Sequence, residues 1–448
     1  MRTSSTSRSR QRHRRTARAA VAGAVVCAAL ITGCGSDGGS DEAGDGKITL
    51  RIGTFGSFGY DNETGAKLYA EYEKSHPNIK IEESNVADGQ KYWDTLKLRL
   101  SRNSGLADIQ ALEVGYISEA TGPAMADKWV DLGKNGGANV DAFLDWKIKQ
   151  ASTPEGKVIA LGTDIGPMAI CYNKDLFAKA KLPTDREAVA KLWAGDWAQF
   201  IKTGETYKKN APAGTAFHDS ASGLFNAVIS SEAVQYANTK GELDYENSPG
   251  VKKAWETAVA AAQGGLTAKL RQFDEKQTWN AAFKNSKFAT VACPSWMTGI
   301  IKDSAGPENQ GKWDIAVPPV AGNWGGAFLA VPKSGKHAKE AAELAAWLTA
   351  PAQHAKVFGV NGNIPSTKHT LTSAVVRDAK LPYFGDTPVG KIYSEAAAGI
   401  TPAPISRWDG QVKTFLTDNG ILDIEQRGTD PAKAWDNVKK LIEDKIEQ

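Results

Sequence analysis

"KITLRIGTFGSFGYDNETGAKLYAEYEKSHPNIKIEESNVADGQKYWDTLKLRLSRNSGLADIQALEV" (Lys47–Val114) carries the reading that decides the fold. Lys47–Thr54 alternates apolar and polar residues, the period-2 pattern of a strand. Asn62–Ser75 follows with helical spacing at Leu68, Tyr69 and Tyr72. "HPNIKIEES" (His76–Ser84) reads as a turn and then a strand. Gln90–Asn103 places Tyr92, Leu96 and Leu100 at i, i+4 and i+8, one face of a helix. "ADIQALEV" (Ala107–Val114) is again a strand. Strands alternating with helices predict an α/β fold of parallel sheets covered by helices.

Downstream, Val251–Gln263 and Ala338–Thr349 read as alanine-rich helices. Lys287–Cys293, Trp313–Pro319 and Gly326–Lys333 read as strands. A last helix opens with Asp430 as N-cap and Pro431 in the first turn, with Trp435, Val438, Leu441 and Ile442 on one face. From Lys47 onward the chain exceeds 400 residues, beyond the size at which one core stops growing, so two domains are expected.

The segment upstream has a different character. The first eighteen residues hold seven arginines and no acid, and Ala19–Ile31 is almost wholly apolar. A basic stretch, a short apolar run and small residues make a secretion signal, too short to span a bilayer. "LITGC" (Leu30–Cys34) resembles a bacterial lipobox, which implies cleavage before Cys34 and acyl chains on its sulfur. Residues 1–33 are therefore expected to be a signal peptide and 34–46, rich in Gly, Ser and acid, a flexible tether. Without the seven arginines, 47 basic residues stand against 51 acidic ones. The charge of the secreted body is mildly negative, which excludes an electrostatic case for nucleic acid.

Several chemistries are missing. There is no zinc-protease helix motif and no Cys-x-x-Cys, and the six histidines are scattered. "GTFGSFG" (Gly53–Gly59) spaces its glycines three apart and misses the dinucleotide pattern. "GDTPVGKI" (Gly385–Ile392) has Ile392 where a phosphate loop needs a hydroxyl for magnesium. No cofactor, metal site or catalytic residue is expected.

Tryptophan is abundant, 13 in all. Trp255, Trp347 and Trp435 lie on helix faces and read as core, and Trp193, Trp197 and Trp279 as packing. Trp296, Trp324 and Trp408 instead sit beside turn residues. An indole face stacks on the C–H face of a pyranose and buries apolar area, while the sugar's hydroxyl rim takes hydrogen bonds from Asp, Glu, Asn and Arg.

"GKVIALGTDIGPMAICYNKDLFAKAKLPTD" (Gly156–Asp185) resembles the hinge crossing of family 1 extracellular solute-binding proteins of ATP-driven sugar importers. "FKNSKFATVACPSWMTGII" (Phe283–Ile301) is similar to that family's return crossing, and Trp313–Pro351 to its third crossing with the helix after it. "NGNIPS" (Asn361–Ser366) matches a late loop. The Cys-Pro-Ser-Trp-Met variant is most similar to oligosaccharide-binding lipoproteins of actinomycetes, including the cellobiose-binding kind. The resemblance implies an α/β, two-lobe periplasmic-binding-protein-like fold with three inter-lobe crossings. Its lobes are expected at residues 47–163 with 291–327, and 164–290 with 328–448.

It also implies a lipid-anchored protein on the extracytoplasmic face of the membrane. Such a protein captures a cello-, xylo- or chito-type oligosaccharide and hands it to ABC permease subunits, as a monomer that does not bind nucleic acid. A lipid-anchored glycoside hydrolase and a binder of a glycerol phosphodiester are the competing readings. Ligand contacts carried over by the resemblance are Phe58, Tyr60, Asp88, Glu113, Asp164, Trp296, Trp324, Asn363 and Arg407. Asp164 also reads as a turn-capping aspartate and Arg407 as half of a surface ion pair. With Cys27 in the signal and Cys34 lipidated, Cys171 and Cys293 remain, on strands that resemble adjacent hinge crossings. They are expected to form a disulfide, two buried thiols being the other reading.

Overall fold

The computed structural model describes residues 46–446. The expected signal peptide, Cys34 and nearly all of the expected tether lie outside the described residues. Strands β1 (Ile48–Phe55), β2 (Ile79–Val86), β3 (Ile109–Glu113) and β4 (Ala160–Gly162) join a strand from far downstream in a five-stranded sheet. β1 pairs in parallel with β2 along its whole length, from Ile48 opposite Ile79 to Phe55 opposite Val86, and in parallel with β3. All three were expected as strands, β1 from its alternation.

β5 (Asp164–Ile165) carries the chain out of this sheet, and β6 (Ile170–Asn173) starts a second one with β7 (Ala216–His218), β8 (Phe288–Ala292) and β9 (Trp313–Ala316). β10 (Ala327–Ala330) then returns to the first sheet, between β3 and β4 and antiparallel to both. β11 (Ile364–Pro365) pairs with β5 at the junction. Both sheets are mixed rather than parallel, because strands that arrive from the opposite lobe run back against their neighbours.

Each sheet is covered on both faces. One face of the first holds Leu50, Ile52 and Ile109 against Ala341, Leu344 and Leu348 of the helix Ala338–Leu348. The other packs Leu112 and Phe328 against Trp93, Leu96 and Leu100 of the helix Gly89–Arg102. Burying each of those leucines contributes about 2 kcal/mol. In the second sheet Ile170 and Tyr172 face one core and Cys171 the other, the period of a strand buried on both sides. The last helix runs Pro431–Ile446, and Asp430 caps it by accepting from the amides of Ala432 and Lys433.

The chain passes between the sheets three times: at β4–β6, at β9–β10, and through the helix Pro351–Asn361 into β11. That helix puts Val357 in the first-sheet core and Phe358 in a second-sheet core. The passages differ from the expected segments. Residues 291–327 were assigned to the first lobe, yet β8 and β9 pair with β6 in the second sheet. Residues 328–448 were assigned wholly to the second, yet β10 and the helix Ala338–Leu348 build the first. Strand propensity marks where a strand is, but its partner is chosen by contacts distant in sequence.

Cys171 and Cys293 are bonded, with Cα atoms 5.3 Å apart. They do not lie on two crossings. One is in β6 and the other directly follows β8, its antiparallel neighbour, so the bridge staples one lobe internally. Among the described residues no helix is long and apolar enough to cross a membrane, and no group of three or more His, Cys, Asp or Glu side chains is placed to hold a metal ion.

Candidate functional site

A cavity of about 300 Å³ lies between the two sheets, lined from both. The first sheet contributes the loop after β1, with Phe55, Ser57 and Phe58, and two helix starts. Asp88 caps Gly89–Arg102 by accepting from the Lys91 amide at 3.0 Å. Glu113 ends β3 and accepts from the Gly115 amide at 2.7 Å, capping Val114–Ala120. Both carboxylates therefore sit where a strand or loop hands over to a helix, at the cavity rim. Asp164, at the hinge, accepts from Thr163 Oγ1 at 2.7 Å and the Ala327 amide at 2.9 Å, and burial pushes its carboxyl up. Beneath it Lys147 is fully buried with its ammonium 3.7 Å from the Phe328 ring centre. Desolvation lowers it to about 8, opposed by Asp164 and Glu113.

Close backbone contact joins two of the crossings at the junction of the sheets. Gly166 donates to Asn323 Oδ1, and its carbonyl accepts from the Trp324 amide at 2.8 Å. A Cβ on Gly166 would overlap the Trp324 carbonyl. Gly326 has φ +102°, and a Cβ there would stand 2.8 Å from Lys147 Nζ and 2.9 Å from the Asp164 carbonyl oxygen. Only glycine lets the two crossings lie against each other at these positions.

Trp296 and Trp324 form a corner, their rings 5.8 Å apart at 82°, with Trp296 Nε1 donating to the Trp324 carbonyl at 3.0 Å. Phe273, partly exposed, stands 6.2 Å from Trp296. The cavity thus has an aromatic wall and a polar rim. Its two cations are already paired: Arg271 with Asp418 at 2.9 Å and Asp88 at 3.9 Å, Lys413 with Glu113 at 3.7 Å. Contacts that cross the cleft include Arg271–Asp88, Lys413–Glu113, Lys91–Glu275 at 2.7 Å, and Thr414 Oγ1 to Gln90 Oε1 at 3.0 Å.

Of the nine residues carried over from sequence, seven line the cavity: Phe58, Asp88, Glu113, Asp164, Trp296, Trp324 and Asn363. Tyr60 does not. It is 2 % exposed and packs between Phe58 and Tyr69 in the first core, where burial drives its hydroxyl far up. Arg407 does not line it either; it lies exposed over the Trp408 ring, 4.5 Å from its centre. Neither is at the cavity because the loop of each turns its side chain elsewhere, Tyr60 into the core and Arg407 onto its own neighbour.

Sequence reasoning missed the loop that carries Arg271, Gln272 and Phe273. Lys269, Phe273 and Gln277 in it adopt left-handed backbone at φ 57–58°, a strain that no residue pattern announces. Asp219, fully buried, holds the loop: its Oδ2 accepts from Gln272 Nε2 and Trp279 Nε1, both at 2.8 Å. The proton count behind Asp219 follows from its neighbours. Thr290 gives its hydroxyl to the Phe217 carbonyl, so His218 Nδ1 must donate to Thr290 Oγ1 at 3.0 Å. His218 Nε2 is then an acceptor, 3.3 Å from Asp219 Oδ1. One proton between them satisfies both. Burial supports this, lowering His218 to about 3 and raising Asp219 to about 7.

A stability consequence follows for this pair. Near pH 6 the folded pair holds a proton that the unfolded chain is already giving up; above pH 7 the folded pair must release it, so stability falls as pH rises. The decline attributable to the pair between pH 6 and 9 is about 0.6 kcal/mol. Asp219→Asn donates to His218 and still accepts from Gln272 and Trp279 with no titrating proton. In this variant His218 stays neutral when folded but takes a proton in the unfolded chain near pH 6. Urea unfolding should therefore show the site's contribution rising by about 0.8 kcal/mol from pH 6 to 9 instead of falling. A decline equal to wild type would contradict the shared proton.

Residues 67–382 match the family model described as bacterial extracellular solute-binding protein. A crystal structure of an extracellular solute-binding protein family 1 member is 39 % identical, covering 88 % of this chain and 98 % of its own, with a TM-score of 0.72. The arabinooligosaccharide-binding protein of Bacillus subtilis (strain 168) is 26 % identical over 343 residues, 71 % of this chain and 72 % of that protein. The binding protein of B. animalis subsp. lactis Bl-04 solved with beta-1,6-galactobiose has a TM-score of 0.74 at 20 % identity, over 88 % of this chain and 97 % of its own. Two sheets joined by three passages, a cavity at their junction and a family match over most of the described chain agree: this chain belongs to the bacterial extracellular solute-binding proteins.

Proposed function

We propose that the protein captures a neutral oligosaccharide of the cello, xylo or chito type between its lobes and delivers it to the permease subunits of an ABC importer. The observation that carries this reading is the Trp296–Trp324 corner in a cavity whose Arg271 and Lys413 are already neutralised by carboxylates. Indole faces suit pyranose C–H faces, and the ring of caps, amides and hydroxyls suits their rims. Four carboxylates against two paired cations argue against a glycerol phosphodiester, which needs free basic groups or a helix N-terminus without its own acid. The arabinooligosaccharide-binding relative supports the same ligand class.

The reading assigns binding without bond cleavage. Asp88 and Glu113 are engaged as helix caps, Asp418 by Arg271, and Asp164 by Thr163 and Ala327. A ligand touching both lobes stabilises the closed arrangement over the open one, with β5 and β11 as the hinge. The protein acts at the outer face of the cell membrane, tethered through acyl chains on Cys34, which supply about 0.8 kcal/mol per buried CH₂.

Titration calorimetry with cello-, xylo- and chito-oligosaccharides and a glycerol phosphodiester tests the ligand class. Micromolar or tighter binding of one saccharide series is expected; heat from the phosphodiester alone would overturn the reading. Prolonged incubation should return the saccharide at its original length, and shortened products would establish the hydrolase instead.

A further inference from the structure

The cavity meets β1 and β3 at their C-terminal ends, at Phe55 and Glu113. The opposite end of the first sheet gathers cations from four segments. β1 and β3 are parallel, with Ile52 opposite Ile109, so the start of β1 and the loop before β3 share this end. The helix Gly89–Arg102 finishes in that loop and brings Arg99 and Arg102, both exposed. β10 runs against β3, with Ala330 opposite Gln110, so the chain leaves β10 here with Lys333 and Lys336. β4 runs against β10 in turn, with Ala160 opposite Ala330, so Lys157 enters here. Lys128 ties the segments together. Its carbonyl accepts from the Lys333 amide at 2.8 Å, and its ammonium donates to Asn103 Oδ1 at 3.4 Å.

Among the described residues none of these six cations forms an ion pair. Burial and then the neighbouring Lys333 ammonium push Lys157 below its ordinary value, with Asp127 and Asp131 acting the other way. The acids at this end are partly engaged: Asp108 accepts from the Arg51 amide at 2.8 Å, and Asp131 pairs with Lys134 at 3.4 Å. Asp127 and Glu155 remain, both exposed. Leu98, 49 % exposed, lies one turn before Arg102 on the same helix face. The secreted body has more acids than bases, so the positive charge is local to this face.

Cations held close together repel one another, and a dense array of anions relieves that repulsion. The chain indicates which array. Gly46 precedes β1 at this same end, and the segment from Cys34 to Gly46 reaches at most about 40 Å when fully extended. An anchor on Cys34 therefore keeps this end within reach of the headgroups. Lysines and arginines around an exposed leucine suit anionic phosphates with an apolar layer beneath them. We propose that this face docks on anionic lipid headgroups, standing the protein on the base of its first lobe with the cleft held clear of the surface. The inference rests on the reading that Cys34 carries the anchor.

A fluorophore on Ser334→Cys, at an exposed position between Lys333 and Lys336, tests it by its quenching from a headgroup-bound quencher. The same label on Lys209→Cys, in the helix Trp197–Asn210 of the second lobe, is the control. The full chain is mixed with vesicles of phosphatidylcholine, alone or with about 30 % phosphatidylglycerol. Quenching at position 334 should be about fivefold stronger on the anionic vesicles. It should fall to the neutral level in about 1 M salt and in the Lys128→Glu/Lys333→Glu variant, while position 209 stays indifferent to the lipid. Equal quenching at position 334 on both vesicles, or an unchanged signal in the double variant, would overturn the docking face. Salt-sensitive binding of a soluble polyphosphate without lipid-dependent quenching would assign the face to another polyanion and overturn it too. Flotation with neutral vesicles in high salt reads the anchor separately, so failure of the anchor and failure of the face are told apart. Should the double variant fail to fold, the lipid and salt comparisons decide.

Discussion

Trp296→Ala is expected to weaken saccharide binding about 100-fold, a loss of about 2.7 kcal/mol, with the fold retained. Two effects add at this residue. The indole face is one of the two platforms of the aromatic corner, and its removal exposes the ligand's apolar face to water. Its Nε1–H also holds the Trp324 carbonyl at 3.0 Å, in the crossing that carries the second platform. Losing that bond loosens Trp324 as well. Trp296→Phe separates the two, since it keeps a ring face and drops the donor, and its loss should be about fivefold. Folding survives because Trp296 is half-buried at a cavity wall rather than within a core. Calorimetric titration of both variants, with thermal unfolding as a control, checks the result; an affinity for Trp296→Ala within threefold of wild type would remove the residue from the site.

The largest effect on stability is expected from replacing Cys171 and Cys293 together with alanine. The bridge closes a sequence separation of 122 residues, for which the chain-entropy relation gives about 5 kcal/mol. Both sulfurs are fully buried, and Tyr393 donates to the Cys293 carbonyl at 3.0 Å, so the surrounding packing is in place with or without the bond. Ligand affinity should stay within about twofold of wild type, because the bridge joins neighbouring positions of one sheet and neither cysteine lines the cavity. Had the two lain on separate crossings, as their sequence context suggested, removing the bridge would have changed the lobe equilibrium and with it the affinity. Guanidinium unfolding gives the stability and titration the affinity. Unchanged stability, or two thiols alkylated without reduction in the wild-type protein, would refute the account.

The α/β class, the early strand–helix order and the capped final helix were legible in the residues themselves. Each rests on interactions within a few positions: alternation for β1, helical spacing for Gly89–Arg102, and a side chain bonding amides two and three residues on for Asp430. The loop-edge position of the tryptophans was readable for the same reason, since turns have local signatures, whereas Asp88 and Glu113 came from the family resemblance and their capping role from the structure. What only the tertiary structure decided is everything set by partners far along the chain. β8 and β9 joined the second sheet, Tyr60 turned into a core, and Arg271, Gln272 and Phe273 came to the cavity on a strained loop held by a buried Asp219. Periodicity tells a residue which face of its own element it occupies. Which other element meets that face is settled by packing over the whole molecule, and that packing makes the cavity.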